Sequence, residues 1–226
     1  MVGELVYDDA RPERRPGILV FHEGSGLGEH PKRRARQLAE RGYVALACDM
    51  YGGGHLAANM QESRALASAL RADPVKLRGR ARAGLEALGS APLVDTDRLG
   101  AIGFCFGGLT VLELARDGAA LAGVVSFHGI LRTTRLAEAG QVKARVLACH
   151  GFRDPFVSAA ELTVFMEEME RAGADWQVLT HGAAGHGFTN PAASALGIPG
   201  VAYDENAERR SWAAMNAFFD ELFGPR

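Results

Sequence analysis

The feature that most constrains the fold is an alternation of short apolar runs with amphipathic stretches of helical length. Runs rich in Val, Ile and Leu are typical of parallel strands buried on both faces. The apolar runs are GILVFH (17–22), YVALAC (43–48), LGAIGF (99–104), LAGVVSF (121–127) and ARVLACH (144–150), and DWQVLT (175–180) alternates like a final strand. Helical patterns lie at 31–41, 75–88, 107–116, after the capping box of Ser158 and Glu161, and at 205–223. This order predicts an α/β fold, with helices on both faces of a twisted, mainly parallel sheet.

Length and charge narrow the possible functions. The 226 residues show no composition break, so we expect a single domain over residues 1–226. Lys and Arg number 25 against 27 Asp and Glu, and no block of like charges indicates nucleic-acid binding. Acids and prolines near the N-terminus are unlike a secretory signal, and no run approaches the length of a membrane span. We therefore expect a cytoplasmic protein, a monomer or homodimer, that binds a small molecule.

The three cysteines, Cys48, Cys105 and Cys149, are odd in number and far apart, and none forms a CxxC pair. This spacing argues against a disulfide framework, a zinc site or a redox pair of thiols. Cys48 and Cys149 lie inside apolar runs and are predicted core residues. Cys105 is therefore the candidate for chemistry as a free thiol.

Cys105 lies in the segment IGFCFGG (102–108), directly after an apolar run and just before a helical pattern. Gly103, Cys105 and Gly107 reproduce the GxSxG nucleophile elbow with sulfur in place of oxygen. Such a turn needs glycines because side chains there would collide with the adjoining strand and helix. The following helix N-terminus favours a thiolate. The pattern predicts a nucleophile at the carboxyl end of a strand, where such sheets form their sites. The alternative is a buried cysteine in a glycine-rich turn.

Two residues further along the chain complete a candidate catalytic triad. Asp154 follows the apolar run that ends at His150, and His186 follows the last strand. Nucleophile, acid and histidine in this order are typical of the α/β-hydrolase fold. Each residue also has another interpretation, since Asp154 precedes Pro155 and could shape a turn, and His186 could be a solvated loop residue. Together, at the ends of strands, the three favour covalent acyl transfer.

Glu23, in the loop FHEGSGLGEH, follows the strand GILVFH near the expected oxyanion hole. A carboxylate beside a developing oxyanion opposes it unless the acid is protonated or turned away. An exposed loop acid is the alternative interpretation. The glycines at 24, 26 and 28 do not complete a GxGxxG motif, because Glu29 occupies the third position. We therefore predict no nucleotide cofactor.

From HEGSG through YVALACDMYG, GFCFGG, GFRDPFV and GHGF to the closing helix, the chain resembles the dienelactone hydrolases, also called carboxymethylenebutenolidases. The cysteine-bearing elbow is the most specific element of this resemblance. It implies that Cys105, Asp154 and His186 form the triad and that Glu23 accepts the thiol proton when substrate binds. It also implies an oxyanion hole made by the backbone N–H groups of Gly24 and Phe106.

The chain departs from the family pattern after the histidine. Dienelactone-cleaving members place a serine there and an arginine shortly beyond it, whereas this chain reads His186-Gly187-Phe188-Thr189-Asn190. Arg64 falls near a second arginine of the family and is a candidate substrate-binding residue. The alternative is that Arg64, Arg78, Arg80 and Arg82 form solvated helix faces. Four aromatic residues flank the site and either line a small apolar pocket or pack beneath it: Tyr51, Phe104, Phe106 and Phe188.

The sequence thus predicts a hydrolase of small esters or lactones that acts through a thioester on Cys105. One alternative is a binding module on a hydrolase scaffold, although binding alone would not require three triad residues in order. A second alternative is a thiol redox sensor, although no resolving cysteine is near in the sequence.

Overall fold

The computed structural model describes residues 2–224, which are arranged around one β-sheet. Its strands are β1 (Gly3–Val6), β2 (Arg15–Phe21), β3 (Val44–Cys48), β4 (Val94–Phe104), β5 (Gly123–Phe127), β6 (Arg145–Gly151) and β7 (Trp176–His181). The helices are α1 (Glu29–Glu40), α2 (Met60–Arg71), α3 (Pro74–Gly89), α4 (Phe106–Arg116), α5 (Ala159–Arg171) and α6 (Glu205–Phe223), with a 3₁₀ turn at Pro191–Leu196. Residues 1, 225 and 226 of the predicted single domain lie outside the described residues, and the domain assignment stays a prediction.

The strand order is β1-β3-β2-β4-β5-β6-β7. β1 pairs antiparallel with β3, and every other pair is parallel. The carboxyl ends of β2 to β7 therefore reach the same edge of the sheet, where loops bring distant residues together. The predicted α/β-hydrolase fold is confirmed. β1 was not predicted, because a four-residue edge strand leaves little periodicity to detect.

Helices cover both faces of the sheet and bury two separate apolar cores. Side chains of α2, α3, α4 and α5 pack on one face, and side chains of α1 and α6 pack on the other. All eleven residues of α4 are buried. This helix carries the candidate nucleophile at its N-terminus, so the position of Cys105 depends on the best-packed helix of the fold.

The local signals at the helix ends behave as predicted. Ser158 and Glu161 form a reciprocal capping box at the start of α5. Gly42 follows α1 with φ 88°, a left-handed conformation that favours glycine. The prediction of solvated helix faces is wrong for Arg78, which is buried and pairs with Glu113 at 2.8 Å. Within residues 2–224, no helix combines the length and apolar character needed to cross a membrane.

Candidate active site

Cys105 occupies a sharp turn between β4 and α4. Its backbone has φ 54° and ψ −110°, and only one other non-glycine residue among residues 2–224, His128, has a positive φ. A side chain in this region costs about 1–3 kcal/mol, and such strain is concentrated at functional sites. The N–H of Cys105 donates to the carbonyl of Phe127 on β5 at 3.0 Å. The strained conformation is therefore held by the neighbouring strand.

The glycines around Cys105 are required by close packing. A Cβ at Gly103 would collide with the backbone of Gly107, and a Cβ at Gly107 would collide with the carbonyl oxygen of Phe21 on β2. A Cβ at Gly108 would lie 2.6 Å from the Cα of Gly129. Because none of these contacts involves a flexible side-chain end, α4 approaches the sheet this closely only with glycine at these positions.

The structure brings Cys105, Asp154 and His186 together. His186 Nδ1 donates to Asp154 Oδ2 at 2.8 Å, and Cys105 interacts electrostatically with the same ring. Burial of His186 opposes its protonation, but its interactions with Cys105 and Asp154 outweigh burial and raise its pKa. A raised pKa favours the imidazolium form of His186, whose charge stabilises negative charge on a neighbouring sulfur nucleophile.

Asp154 has both of the roles that the sequence left open, since it shapes a turn and also binds the histidine. Its Oδ1 accepts from the N–H of Phe156 at 2.8 Å and shapes the turn, while Oδ2 accepts from His186. The residue is only 6% exposed. A carboxylate fixed in this way holds one tautomer and one orientation of the histidine ring.

The loop that carries His186 is tied to three parts of the fold through Thr189. The Thr189 carbonyl accepts from Arg34 on α1 at 2.7 Å, and its hydroxyl hydrogen-bonds to Nε2 of His128 at 2.8 Å. Arg34 is itself ion-paired with Glu208 on α6. These contacts restrict the movement of the loop that carries His186.

The Glu23 carboxylate is turned toward α1 and the His186 loop. It pairs with His30 Nδ1 at 2.5 Å and accepts from Asn190 Nδ2 at 3.0 Å. Burial opposes ionisation of Glu23, but its interactions with His30 outweigh burial and lower its pKa. No hydrogen bond joins Glu23 to Cys105 in the described part of the chain. The charge is therefore directed away from a developing oxyanion, and a role for Glu23 as acceptor of the thiol proton stays a prediction.

The other candidate residues from the sequence lie near the nucleophile, beneath it, or away from it. Tyr51 stacks on Phe106 with ring centroids 5.8 Å apart, and its hydroxyl donates to the carbonyl of Gly24 at 2.8 Å. Phe104 and Phe188 are both 0% exposed, so they pack beneath the site and do not line an open pocket. Arg64 is exposed on α2 and does not join the cluster.

A cavity of about 380 Å³ beside the first turns of α4 contains two arginines that the sequence interpretation missed. It is lined by Ser68, Arg71, Ala72, Pro74, Leu77, Leu109, Glu113, Arg132, Thr133 and Thr134. Leu109 lies one helical turn after Cys105, and Cys105 acts electrostatically on Arg71. Arg132 pairs with Glu161 at 2.7 Å, whereas Arg71 has no hydrogen bond or ion pair within residues 2–224. Identifying Arg71 as a candidate requires knowing which face of α2 lies toward the cavity, and the sequence does not specify that orientation.

Four buried histidines make the fold sensitive to acid. Burial lowers the pKa of His22, His128, His150 and His181, so folding favours the neutral form of each. The unfolded chain binds protons at these residues below about pH 6.5, so the free energy of unfolding falls as pH decreases from there, by up to about 1.4 kcal/mol per pH unit for each group. His186 has a raised pKa and affects the pH dependence of stability in the opposite sense, but it is one histidine against four.

Urea unfolding at pH 5.5 and 7.5 measures this loss directly. His128→Asn should reduce the pH dependence, because asparagine does not titrate and tolerates the left-handed backbone at this position. Equal stability at the two pH values would contradict the prediction.

Comparisons with known proteins identify the family of this chain. The profile described as "Dienelactone hydrolase family" matches residues 2–223. A solved structure titled "m3DLH" is 46% identical, with a TM-score of 0.94, and the match covers 98% of this chain and 92% of that one. A second, a "Dienelactone Hydrolase-like Promiscuous Phospotriesterase P91 from Metagenomic Libraries", is 45% identical with a TM-score of 0.93 and the same coverage.

Among curated sequences, a protein of Methylorubrum extorquens named "Putative carboxymethylenebutenolidase" is 32% identical over 186 residues. That match covers 76% of this chain and 63% of the relative, so it spans less than two thirds of the longer protein. Since the family profile covers residues 2–223, nearly all of the described chain, the chain belongs to the dienelactone hydrolase family of α/β-hydrolase enzymes.

Proposed function

We propose that the protein hydrolyses small carboxylic esters or lactones through a thioester on Cys105. The observation that carries the proposal is one buried imidazole, that of His186, which is hydrogen-bonded to the Asp154 carboxylate and interacts electrostatically with Cys105. A thiolate next to an imidazolium attacks acyl carbon readily. The position of Cys105 at the N-terminus of α4 adds a second favourable field for negative charge.

The reaction divides into two acyl transfers. In the first, the Cys105 sulfur bonds to the carbonyl carbon, and the carbon–oxygen bond to the leaving group breaks after His186 has donated its proton to that oxygen. In the second, His186 removes a proton from water, and the resulting hydroxide displaces the sulfur to release the acid. The N–H groups of Gly24 and Phe106 are the candidate donors to the oxyanion in both steps.

The test is to quench the enzyme with acid during turnover of p-nitrophenyl acetate and to determine the mass of its peptides. We expect one acetyl group on the peptide that contains Cys105, with release of p-nitrophenol in a burst when the second step is slower. An enzyme that turns over without an acylated Cys105 would contradict the thioester.

We further propose that the preferred substrates carry an anionic group next to the scissile bond. Arg71 is half-buried at the edge of the cavity beside α4, without a carboxylate partner in the described residues, and Arg132 lies close enough to lower its pKa along with burial. Hydroxyls of Ser68, Thr133 and Thr134 line the same cavity. Guanidinium and hydroxyl donors around one space are suited to a carboxylate.

Arg71→Ala should therefore raise the KM of an ester that bears a free carboxylate by about 10- to 100-fold, the value of a charge-assisted hydrogen bond. The KM of a neutral ester of the same size should change little, which makes the neutral ester the internal control. Arg64→Ala is the matched comparison on the same helix. A selective effect at Arg64 with none at Arg71 would favour the sequence-based assignment instead.

A second candidate activity is hydrolysis of phosphotriesters. The specific observation is the 45% identity to a structure whose title describes a promiscuous phosphotriesterase. A nucleophile and proton donor arranged for acyl carbon can also displace an aryl oxide from phosphorus. We expect slow release of p-nitrophenol from a neutral aryl phosphotriester, and we expect Cys105→Ala to remove it.

A further inference from the structure

We propose that His22 and Tyr51 are positioning residues that orient the Gly24 peptide N–H as an oxyanion donor. The inference rests on the proposed acyl transfer, and it concerns two side chains that do not themselves touch the reacting atoms. Both hydrogen-bond to backbone carbonyls on either side of the Gly24 N–H.

The first carbonyl is that of Glu23. It belongs to the same peptide unit as the N–H of Gly24, and in a trans peptide the two groups point in opposite directions. His22 Nδ1 hydrogen-bonds to this oxygen at 2.5 Å, and the N–H of Gly26 also donates to it at 3.2 Å. Fixing the oxygen on one side fixes the direction of the N–H on the other.

The tautomer of His22 follows from its second contact. Its Nε2 accepts from the N–H of Met50 at 3.0 Å, so Nε2 carries no proton and Nδ1 is the donor to Glu23. The ring is 0% exposed, and burial lowers its pKa. His22 is therefore a neutral and fixed donor, and its hydrogen bond polarises the peptide so that the N–H of Gly24 is a stronger donor.

The second carbonyl is that of Gly24, which accepts from the Tyr51 hydroxyl at 2.8 Å. Tyr51 is held in turn by its own N–H, which donates to Asp49 Oδ1 at 2.8 Å, and by Arg80, which donates to its carbonyl at 3.1 Å. Its ring stacks on Phe106, the residue of the other candidate oxyanion donor. Tyr51 thus contacts both halves of the candidate oxyanion hole.

The N–H between these two fixed carbonyls remains available. In the described chain, the N–H of Gly24 has no hydrogen-bond partner. Gly107 lies against the backbone of Phe21 and His22, which places the start of α4 directly beside this loop. An unpaired donor in the loop beside the start of α4, with fixed carbonyls on both sides, is suited to an oxyanion hole.

The experiment compares acyl transfer with alkylation in the full-length enzyme. Hydrolysis of p-nitrophenyl acetate passes through an oxyanion in both steps, whereas alkylation of Cys105 by iodoacetamide is a displacement at saturated carbon and forms none. Tyr51→Phe should lower kcat by about tenfold, less than the 10²–10³-fold loss of a whole donor, with KM and the alkylation rate unchanged. The exposed Tyr7→Phe is the matched control and should leave all three values unchanged.

Two variants of His22 separate positioning from packing. His22→Asn keeps an amide donor near the place of Nδ1, and His22→Gln keeps a polar group near the place of Nε2 but loses the donor to Glu23. We expect His22→Asn to retain more of kcat than His22→Gln, with both still alkylated at the wild-type rate. Wild-type kcat in both Tyr51→Phe and His22→Gln would overturn the inference, as would a parallel loss of kcat and alkylation. Undiminished hydrolysis by Cys105→Ala would instead overturn the proposed function.

Discussion

Replacement of Cys105 by alanine is expected to lower kcat/KM for p-nitrophenyl acetate by about 10⁴-fold or more, as in other enzymes that lose a triad nucleophile. The variant keeps the elbow, because alanine has the same Cβ as cysteine, and it keeps the His186–Asp154 pair. What it loses is the covalent route and the negative charge that raises the pKa of His186. Stopped-flow kinetics and the acid-quench mass measurement on the same samples check both losses.

Alkylation provides the matched measurement. Iodoacetamide should modify one thiol per folded wild-type chain and none in Cys105→Ala, since Cys48 and Cys149 are buried. Burial also raises the pKa of both, for Cys48 to about 12. Alkylation of a buried cysteine at a comparable rate would contradict this assignment of the reactive thiol.

The same samples distinguish an enzyme from a binding module and from a redox sensor. A binding module would turn over no ester, although Cys105 could still be alkylated. A redox sensor would lose its alkylatable thiol reversibly on treatment with peroxide, and it would show no acylated intermediate. Substantial hydrolysis by Cys105→Ala would exclude the cysteine mechanism altogether.

The parts of the fold that could be predicted are those written in neighbouring residues. The apolar runs predict β2 to β6 because burial on both faces imposes a local pattern, and the glycine spacing around Cys105 reports a local collision. The order of nucleophile, acid and histidine then follows from the order of the strands. These signals suffice for the fold and for the residues of the candidate triad.

The missed parts depend on contacts between distant residues. Arg78 reads as a solvated arginine, but it pairs with Glu113, 35 positions later on α4. In the sequence, the charge of Glu23 conflicts with a neighbouring oxyanion. Its hydrogen bond with Asn190, 167 positions later, accounts for the orientation of its carboxylate. The hydrogen bonds that His22 and Tyr51 make to backbone carbonyls leave no pattern in the sequence. Such features require the packing of the loops, which local periodicity does not specify.

The closeness of α4 to the sheet leads to the second large effect, which concerns stability. Gly107→Ala should lower the free energy of unfolding by about 3 kcal/mol, at the upper end for overpacking, because its Cβ would collide with the carbonyl of Phe21 and lie 2.8 Å from that of His22. Neither carbonyl can move without shifting β2, so α4 must move outward. The variant should also lose hydrolysis, because the shift carries Cys105 away from His186.

Gly79→Ala is the matched control, since both substitutions replace a helical glycine by alanine. Gly79 is exposed in the interior of α3, and a Cβ there meets nothing within 4 Å, so the better helix propensity of alanine should raise the free energy of unfolding by about 1 kcal/mol. Urea denaturation gives the free energy of unfolding of both variants, and equal m-values would show that both expose a similar surface area on unfolding. Because helix propensity favours alanine in both variants, opposite signs would isolate the packing of α4 against β2 as the cause. A Gly107→Ala variant as stable as Gly79→Ala would mean that the elbow has room for a side chain, and the strained geometry of Cys105 would then need another origin.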